Sequence, residues 1–156
     1  MATATVAEEA LSARRARMAV LADADSIALM ECWKKLGLDP EFAMVRGPET
    51  GLIALRGRIG GGGDPFNFGE ATVTRATVRL ANGAIGHAMA LGRDVVKAKL
   101  SAVIDALSED LDCRARIDET IIAPLAEKAA SRDRTRAAET EATKVDFFTL
   151  VRGEDE

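Results

Sequence analysis

The sequence has little of the chemistry on which most catalytic and metal sites depend. It contains one histidine and two cysteines. A nucleophile triad needs a histidine near a serine or cysteine, and no such motif spacing surrounds His87. Cys32 and Cys113 lie far apart, with no second cysteine or histidine at metal-ligand spacing near either, which fits neither a zinc motif nor a disulfide framework. The sequence therefore predicts no metal site, no triad and two reduced thiols.

Long apolar runs and an excess of basic charge are also missing. No segment approaches the roughly 18 apolar residues that a membrane span needs, and the first residues lack the apolar core of a secretory signal. The net charge is −4 and the pI is about 5.2, so the molecule as a whole repels phosphate backbones. These features predict a cytoplasmic protein that binds neither membranes nor nucleic acid.

Length and hydrophobic patterning predict one domain over residues 1–156, with a mobile N-terminus at 1–8. Apolar residues recur at helical spacing from Glu8 to Ala22, from Asp25 to a stop signal at Gly37, and again after Asp94. Between these helical segments the period changes to two, which is typical of strands, and residues 42–46 are expected to form a separate strand. We predict an α+β fold with an antiparallel four-stranded meander flanked by N-terminal and C-terminal helices.

The C-terminal helix and tail, residues 123–156, are expected to depend on a partner. A helix starting near Pro124 has few large apolar residues and is therefore weakly anchored. In the tail, Phe147 and Phe148 are adjacent and cannot both face one surface of a strand. Both phenylalanines are therefore candidate interface residues.

The stretch GEATVTRATVRLANGAIG predicts a hairpin with two arginines on one strand. Asn82 and Gly83 favour a two-residue loop with positive φ at both positions. In that register His87 faces Val78 on the apolar side, where a structural histidine is commoner than a catalyst. On the opposite side Arg75 and Arg79 lie among small cross-strand neighbours, forming a shallow basic trough.

The arginines allow three interpretations. They can bind a phosphate or carboxylate, dock the acidic surface of another chain, or form a solvated strand face. Arg56, Arg58 and Arg93 complete the set of candidates for an interface or an anion site. His87 is a weak candidate for a catalytic base, and no other residue is a convincing catalyst. The glycine run at 60–63 lacks the ending of a P-loop, and Asp94 is interpreted as a helix cap.

The same residues carry a resemblance. The block ETGLIALRGRIGGGGDPFNFGEATVTRATVRLANGAIGHAMALGRD and the tail KVDFFTLVRGE resemble the PhnG family, the G subunit of the bacterial carbon-phosphorus lyase core complex. The resemblance implies a role in phosphonate use, in a transfer in which methylphosphonate displaces adenine from ATP to give α-D-ribose 1-methylphosphonate 5-triphosphate. It also implies the I, H, J and L proteins as partners, ATP as a substrate of the complex, and no cofactor bound by this chain. Catalysis is credited to the I subunit in this family, which makes the G subunit a partner without activity alone.

Two competing hypotheses remain open. A self-sufficient enzyme would bind an anion in the trough and use His87 as base, which requires His87 to lie on the exposed face of its strand. A pure scaffold would contact no ligand. A homo-oligomer of the isolated chain is also left open.

Overall fold

The computed structural model describes residues 2–58 and 62–144, with side chains described from residue 8 onward. Five helices and three strands make up this part of the chain, and a π-helical turn at Asp118–Ile122 joins the last two helices. The elements are α1 (Ala2–Asp23), α2 (Ser26–Leu36), β1 (Phe42–Gly57), β2 (Phe66–Leu80), β3 (Ile85–Leu91), α3 (Val95–Leu107), α4 (Leu111–Ile117) and α5 (Ala123–Ala142). No helix among the described residues is long and apolar enough to cross a membrane.

Helix α2 begins and ends where the sequence predicts. The Asp25 carboxylate caps it by accepting hydrogen bonds from the backbone N–H groups of Ile27 and Ala28, at 3.1 and 3.0 Å. Gly37 ends it in the left-handed region, with φ of 69°, and donates its N–H to the carbonyl of Trp33. Local capping residues therefore determine both ends of this helix.

The sheet has three antiparallel strands in the order β1-β2-β3, so the predicted four-stranded meander is wrong. Residues 42–46 are the first part of β1, and the whole of β1 pairs with β2. Between its two parts, Gly47 and Pro48 form a bulge in the ladder instead of a turn. Gly47 has φ of 66°, and a Cβ there would lie 2.6 Å from the Arg75 carbonyl oxygen. The missing side chain lets the bulge lie against β2, so the strand continues.

The turn between β2 and β3 contains three residues, not the predicted two. Leu80 donates its N–H to the carbonyl of Ala84 at 2.9 Å, and Gly83 donates to the carbonyl of Leu80 at 2.9 Å. Of the three turn residues only Gly83 has positive φ (89°), whereas the predicted loop needs positive φ at Asn82 as well. The extra loop residue shifts β3 by one position against β2. A one-residue shift turns every side chain of β3 to the opposite face.

The shifted register places the small residues of β3 against α3. Val78 lies opposite Gly86, and α3 is so close that a Cβ on Gly86 would overlap the backbone of Ala102 and Ala106. The predicted core side of β2 is confirmed, because its four members are buried: Thr74, Ala76, Val78 and Leu80. The close approach of α3 to β3 therefore requires small residues on the side of β3 that faces the helix.

A second buried cluster lies among the helices. It joins α1 and α2 to α3, α4, the π-helical turn and the start of α5, through Leu21, Leu29, Ile104, Ile117 and Ile121. The sequence did not predict α4, which Asp110 caps by accepting the Cys113 N–H at 2.8 Å. Of α5 only Leu125 is buried, and the dependence of residues 123–156 on a partner stays a prediction.

Candidate functional site

The exposed side of the sheet, opposite α3, carries a group of basic side chains. On β2, Arg75 and Arg79 alternate with the buried Ala76 and Val78, so both arginines point away from the core. The bulge in β1 adds two more charged residues beside them. We name this surface the arginine face, and it consists of Arg46, Glu49, Arg75 and Arg79.

The prediction that small residues lie opposite the two arginines on β3 is wrong. Arg79 lies opposite Ile85, and Arg75 lies opposite Met89, because of the one-residue shift in β3. These apolar side chains are 44% and 53% exposed. No trough of small residues forms, and the surface instead offers positive charge next to exposed apolar area, a combination that protein interfaces favour.

Glu49 bridges two of the arginines. Its Oε1 accepts hydrogen bonds from Nε of Arg75 and from Nε of Arg46, both at 2.6 Å. The bulge at Gly47 and Pro48 makes this possible by bringing Arg46 opposite Thr77 and Glu49 opposite Arg75. All three charged side chains are about half exposed. Three arginines and one glutamate give the arginine face an excess of positive charge on an acidic protein.

These contacts lower the pKa of Glu49. The hydrogen bond from Arg75 is the largest cause, followed by that from Arg46, since both favour the ionised carboxylate. A lowered pKa means that the contribution of Glu49 to stability is present above its unfolded pKa and is lost as pH falls through its folded pKa. We expect Arg75→Gln to raise the pKa of Glu49, measured by NMR titration of the side-chain carboxyl carbon. Arg79→Gln is the control and should leave that titration unchanged; an unchanged titration in Arg75→Gln would contradict the bridge.

His87 lies on the exposed side of the sheet, not on the apolar side as predicted. It is opposite Thr77, whose Oγ1 is 3.1 Å from the His87 Nδ1. Its backbone N–H donates to Oδ2 of Asp105 at 2.9 Å. Among the described residues no carboxylate bonds to the imidazole, so no acid there orients it as a general base.

Asp105 forms a buried junction that the sequence did not reveal. It is 4% exposed and accepts two hydrogen bonds from Arg14, at 3.0 and 2.7 Å, besides the one from His87. The hydrogen bonds that Arg14 donates to Asp105 are the largest cause of a raised pKa of the Arg14 guanidinium. Arg14 is 91 positions from Asp105 in the sequence. The junction joins α1, β3 and α3, so it positions the strand that carries His87.

The other candidate residues lie elsewhere. Arg56 is opposite Asn67, eight positions along β2 from Arg75 (67 to 75), which is about 26 Å at roughly 3.3 Å per residue. Arg58 follows the end of β1, and Arg93 lies in the turn between β3 and α3. Their roles at an interface or an anion site stay predictions. Phe147 and Phe148 lie outside the described residues, and their role at an interface also stays a prediction.

Asp94 is a helix cap, as predicted. It accepts the backbone N–H of Lys97 at 2.8 Å and the hydroxyl of Ser26. These hydrogen bonds, led by that from Lys97, lower its pKa. In the ranges 2–58 and 62–144, no three histidine, cysteine or acidic side chains gather as metal ligands would.

Comparison with known proteins places the chain in a family. The model of a family described as "Phosphonate metabolism protein PhnG" matches residues 12–153. The alpha-D-ribose 1-methylphosphonate 5-triphosphate synthase subunit PhnG of Rhizobium meliloti (strain 1021) is 49% identical over 154 residues, which cover 99% of this chain and 98% of that protein. The resemblance seen in the sequence is therefore confirmed, and the chain belongs to the PhnG family of phosphonate metabolism proteins.

Proposed function

We propose that this chain is a subunit of an α-D-ribose 1-methylphosphonate 5-triphosphate synthase. The observation that carries the proposal is the 49% identity, across nearly the whole chain, to a relative named as a subunit of that synthase. In the reaction, the bond between ribose C1 and adenine breaks, adenine leaves, and an oxygen of methylphosphonate bonds to C1. ATP is thus a substrate of the complex, and we propose that the chain works in the cytoplasm, where ATP is available.

The chain contributes to this reaction without being the catalyst. Its single histidine has Thr77 as its hydrogen-bond partner among the described residues. We propose that the I, H and L proteins supply the remainder of the synthase and that J joins them in the larger complex. This chain has no activity alone, and its task is to hold partner subunits in the arrangement that the displacement of adenine needs.

The arginine face is the surface through which we propose that the chain meets a partner. Arg75 already donates its Nε to Glu49, and the side chains stand half exposed on an open sheet surface. A bound triphosphate needs several donors that converge in a concave site. Exposed arginines beside Ile85 and Met89 suit an acidic protein surface better, because arginine and methionine are enriched in interfaces.

The stand-alone enzyme is retained as a second candidate because of one observation. Its requirement that His87 lie on the exposed face is met, and His87 borders an open depression of about 620 Å³ that Arg14 and Glu109 also line. Against it, the guanidinium of Arg14 is engaged by Asp105. The two candidates differ in a measurable way, because only a stand-alone enzyme turns over substrate without other subunits.

Adenine release from ATP and methylphosphonate tests the proposal. We expect release when this chain is added to the I, H and L proteins, and none from either component alone. Release from this chain alone would establish the stand-alone enzyme and make His87→Ala the first variant to measure. Equal release with and without this chain would contradict the synthase assignment.

Measuring both assembly and adenine release for variants of Arg75 and Arg79 tests what these two arginines bind. If they dock a partner, Arg75→Ala and Arg79→Ala should each weaken assembly by about fivefold or more, as truncated interface arginines commonly do. If they bind substrate, assembly should stay intact while the apparent KM for ATP or methylphosphonate rises. Arg15→Ala is the control, since that exposed arginine lies on α1, outside the candidate surfaces. No change in either quantity would leave the solvated strand face as the correct interpretation.

A further inference from the structure

One edge of the sheet has no partner strand. β1 lies at the side of the sheet, and within the described ranges its outer N–H and C=O groups face no other strand. The opposite edge is covered, because the N–H of His87 donates to Asp105 and α1 packs against β3. The edge of β1 is therefore the place where this sheet can accept another strand.

In the second half of β1, the run from Thr50 to Leu55 lacks the devices that usually protect an edge, and a register shift and Arg56 come only after it. Natural proteins protect exposed edges with charges, prolines or bulges. The first half of β1 has such protection, in Pro48 and in two register shifts. The run Thr50–Leu55, of sequence TGLIAL, has no charge and no proline, and it pairs with β2 without a break. An edge of this composition is typical of strands that another chain covers.

The same run lies where the sheet narrows to two strands. β3 ends at Leu91, opposite Val73, so the part of β1 beyond Gly51 has only β2 beside it. A two-stranded ribbon is marginally stable in water, and a third strand is normally needed. Leu52 and Phe68 are 63% and 61% exposed on this ribbon. An added strand would supply backbone hydrogen bonds and cover apolar side chains together.

The chemistry of the run specifies its occupant. Side chains alternate along a strand, so Ile53 and Leu55 face one side while Leu52 and Ala54 face the other. Neither side carries charge, so the occupant is an extended segment that is uncharged on both faces. A second copy is disfavoured in two registers, because antiparallel pairing about Leu52 places Arg46 opposite Arg58, and parallel pairing in register places like arginines side by side. The next antiparallel register places Glu49 opposite Arg56, so the oligomeric state of the isolated chain separates a second copy from a partner segment.

We propose that the edge of β1 from Thr50 to Leu55 binds an extended, uncharged segment of another synthase subunit by β-strand addition. This inference rests on the proposed function, which supplies the other subunit. It assigns that subunit a second contact, of different chemistry from the acidic surface expected at the arginine face.

Hydrogen exchange of the β1 amides tests the inference. Full-length chain is compared alone and after assembly with the I, H and L proteins. We expect the outward-facing amides between Thr50 and Leu55 to exchange at least about tenfold more slowly in the complex, since strand addition bonds them. A complex that releases adenine but leaves these amides unprotected would overturn the inference and keep the proposed function. Failure of the chain to assemble at all would overturn both.

Two variants separate this contact from general loss of folding. Leu52→Lys places a charge on the uncharged edge at an exposed position and should weaken assembly by about fivefold or more. Leu111→Lys is the matched control, since Leu111 is 71% exposed on α4, and it should assemble normally. Protection of the β1 amides already present in the isolated chain would assign the edge to another occupant and overturn the inference. That occupant is a second copy if light scattering gives a dimer. It is the chain's own tail if deletion of residues 145–156 removes the protection.

Discussion

Replacing Gly86 with alanine should destabilise the protein by about 2 to 3 kcal/mol, the size typical of overpacking in a well-packed core. A Cβ at this position would overlap the carbonyl oxygen of Ala102 and the backbone nitrogen of Ala106 in α3. These are backbone atoms, so no side-chain rotation relieves the overlap, and α3 must move away from β3. Urea denaturation measures the loss as a lower midpoint with an unchanged slope.

The matched control is Gly69→Ala in β2. Gly69 has no positive φ, and a Cβ there would meet nothing within 4 Å. This change should therefore leave stability within about 0.5 kcal/mol, or raise it slightly by restricting the unfolded chain. His87→Ala, one position from Gly86, should also be mild, because its side chain is exposed. The reverse order, with Gly86→Ala mild and His87→Ala severe, is what the two-residue turn would produce, and it would contradict the register described here.

Replacing Asp105 with alanine should cost about 2 to 3 kcal/mol, since it leaves buried hydrogen-bonding groups without partners. Asp105 accepts from Arg14 and from the backbone of His87. The side chain of Arg14 is 31% exposed and can regain water, which keeps the cost below that of breaking a fully buried ion pair. Chemical denaturation measures the total loss. Faster amide exchange in α1 should accompany it, because Arg14 anchors that helix.

Glu109→Ala is the control for this junction. Glu109 is the other carboxylate near Arg14, at 3.5 Å, and its side chain is 51% exposed. Exposed pairs of this kind contribute little, so its removal should change stability by less than about 0.5 kcal/mol. Equal effects of Asp105→Ala and Glu109→Ala would show that Asp105 is no junction.

Local signals in the sequence predicted both ends of α2, the start of α3 and the burial of one side of β2. Asp25, Gly37 and Asp94 act within a few residues of themselves, so their roles are visible in the sequence. The strand count and the register of β3 depended on backbone geometry that composition does not determine. Gly47 and Pro48 suit a turn or a bulge equally, and Asn82-Gly83 suits loops of two or three residues.

In the candidate site too, features set by neighbouring residues were predicted, and contacts between distant residues were missed. Alternation along β2 was enough to place Arg75 and Arg79 on the exposed face. Their partner Glu49 was missed because it reaches Arg75 only through the bulge, and the junction at Asp105 was missed because its partners are distant in sequence. A lone aspartate at a helical position that faces the sheet was the available signal for that junction.

The junction at Asp105 also limits how many molecules can join this sheet. A sheet with two open edges can add copies on both sides and grow into a polymer. Here the His87 amide donates to Asp105 and α1 packs against β3, so that edge is covered. One added segment on β1 would complete the sheet. A single buried carboxylate thus favours an assembly of fixed stoichiometry over an open-ended filament.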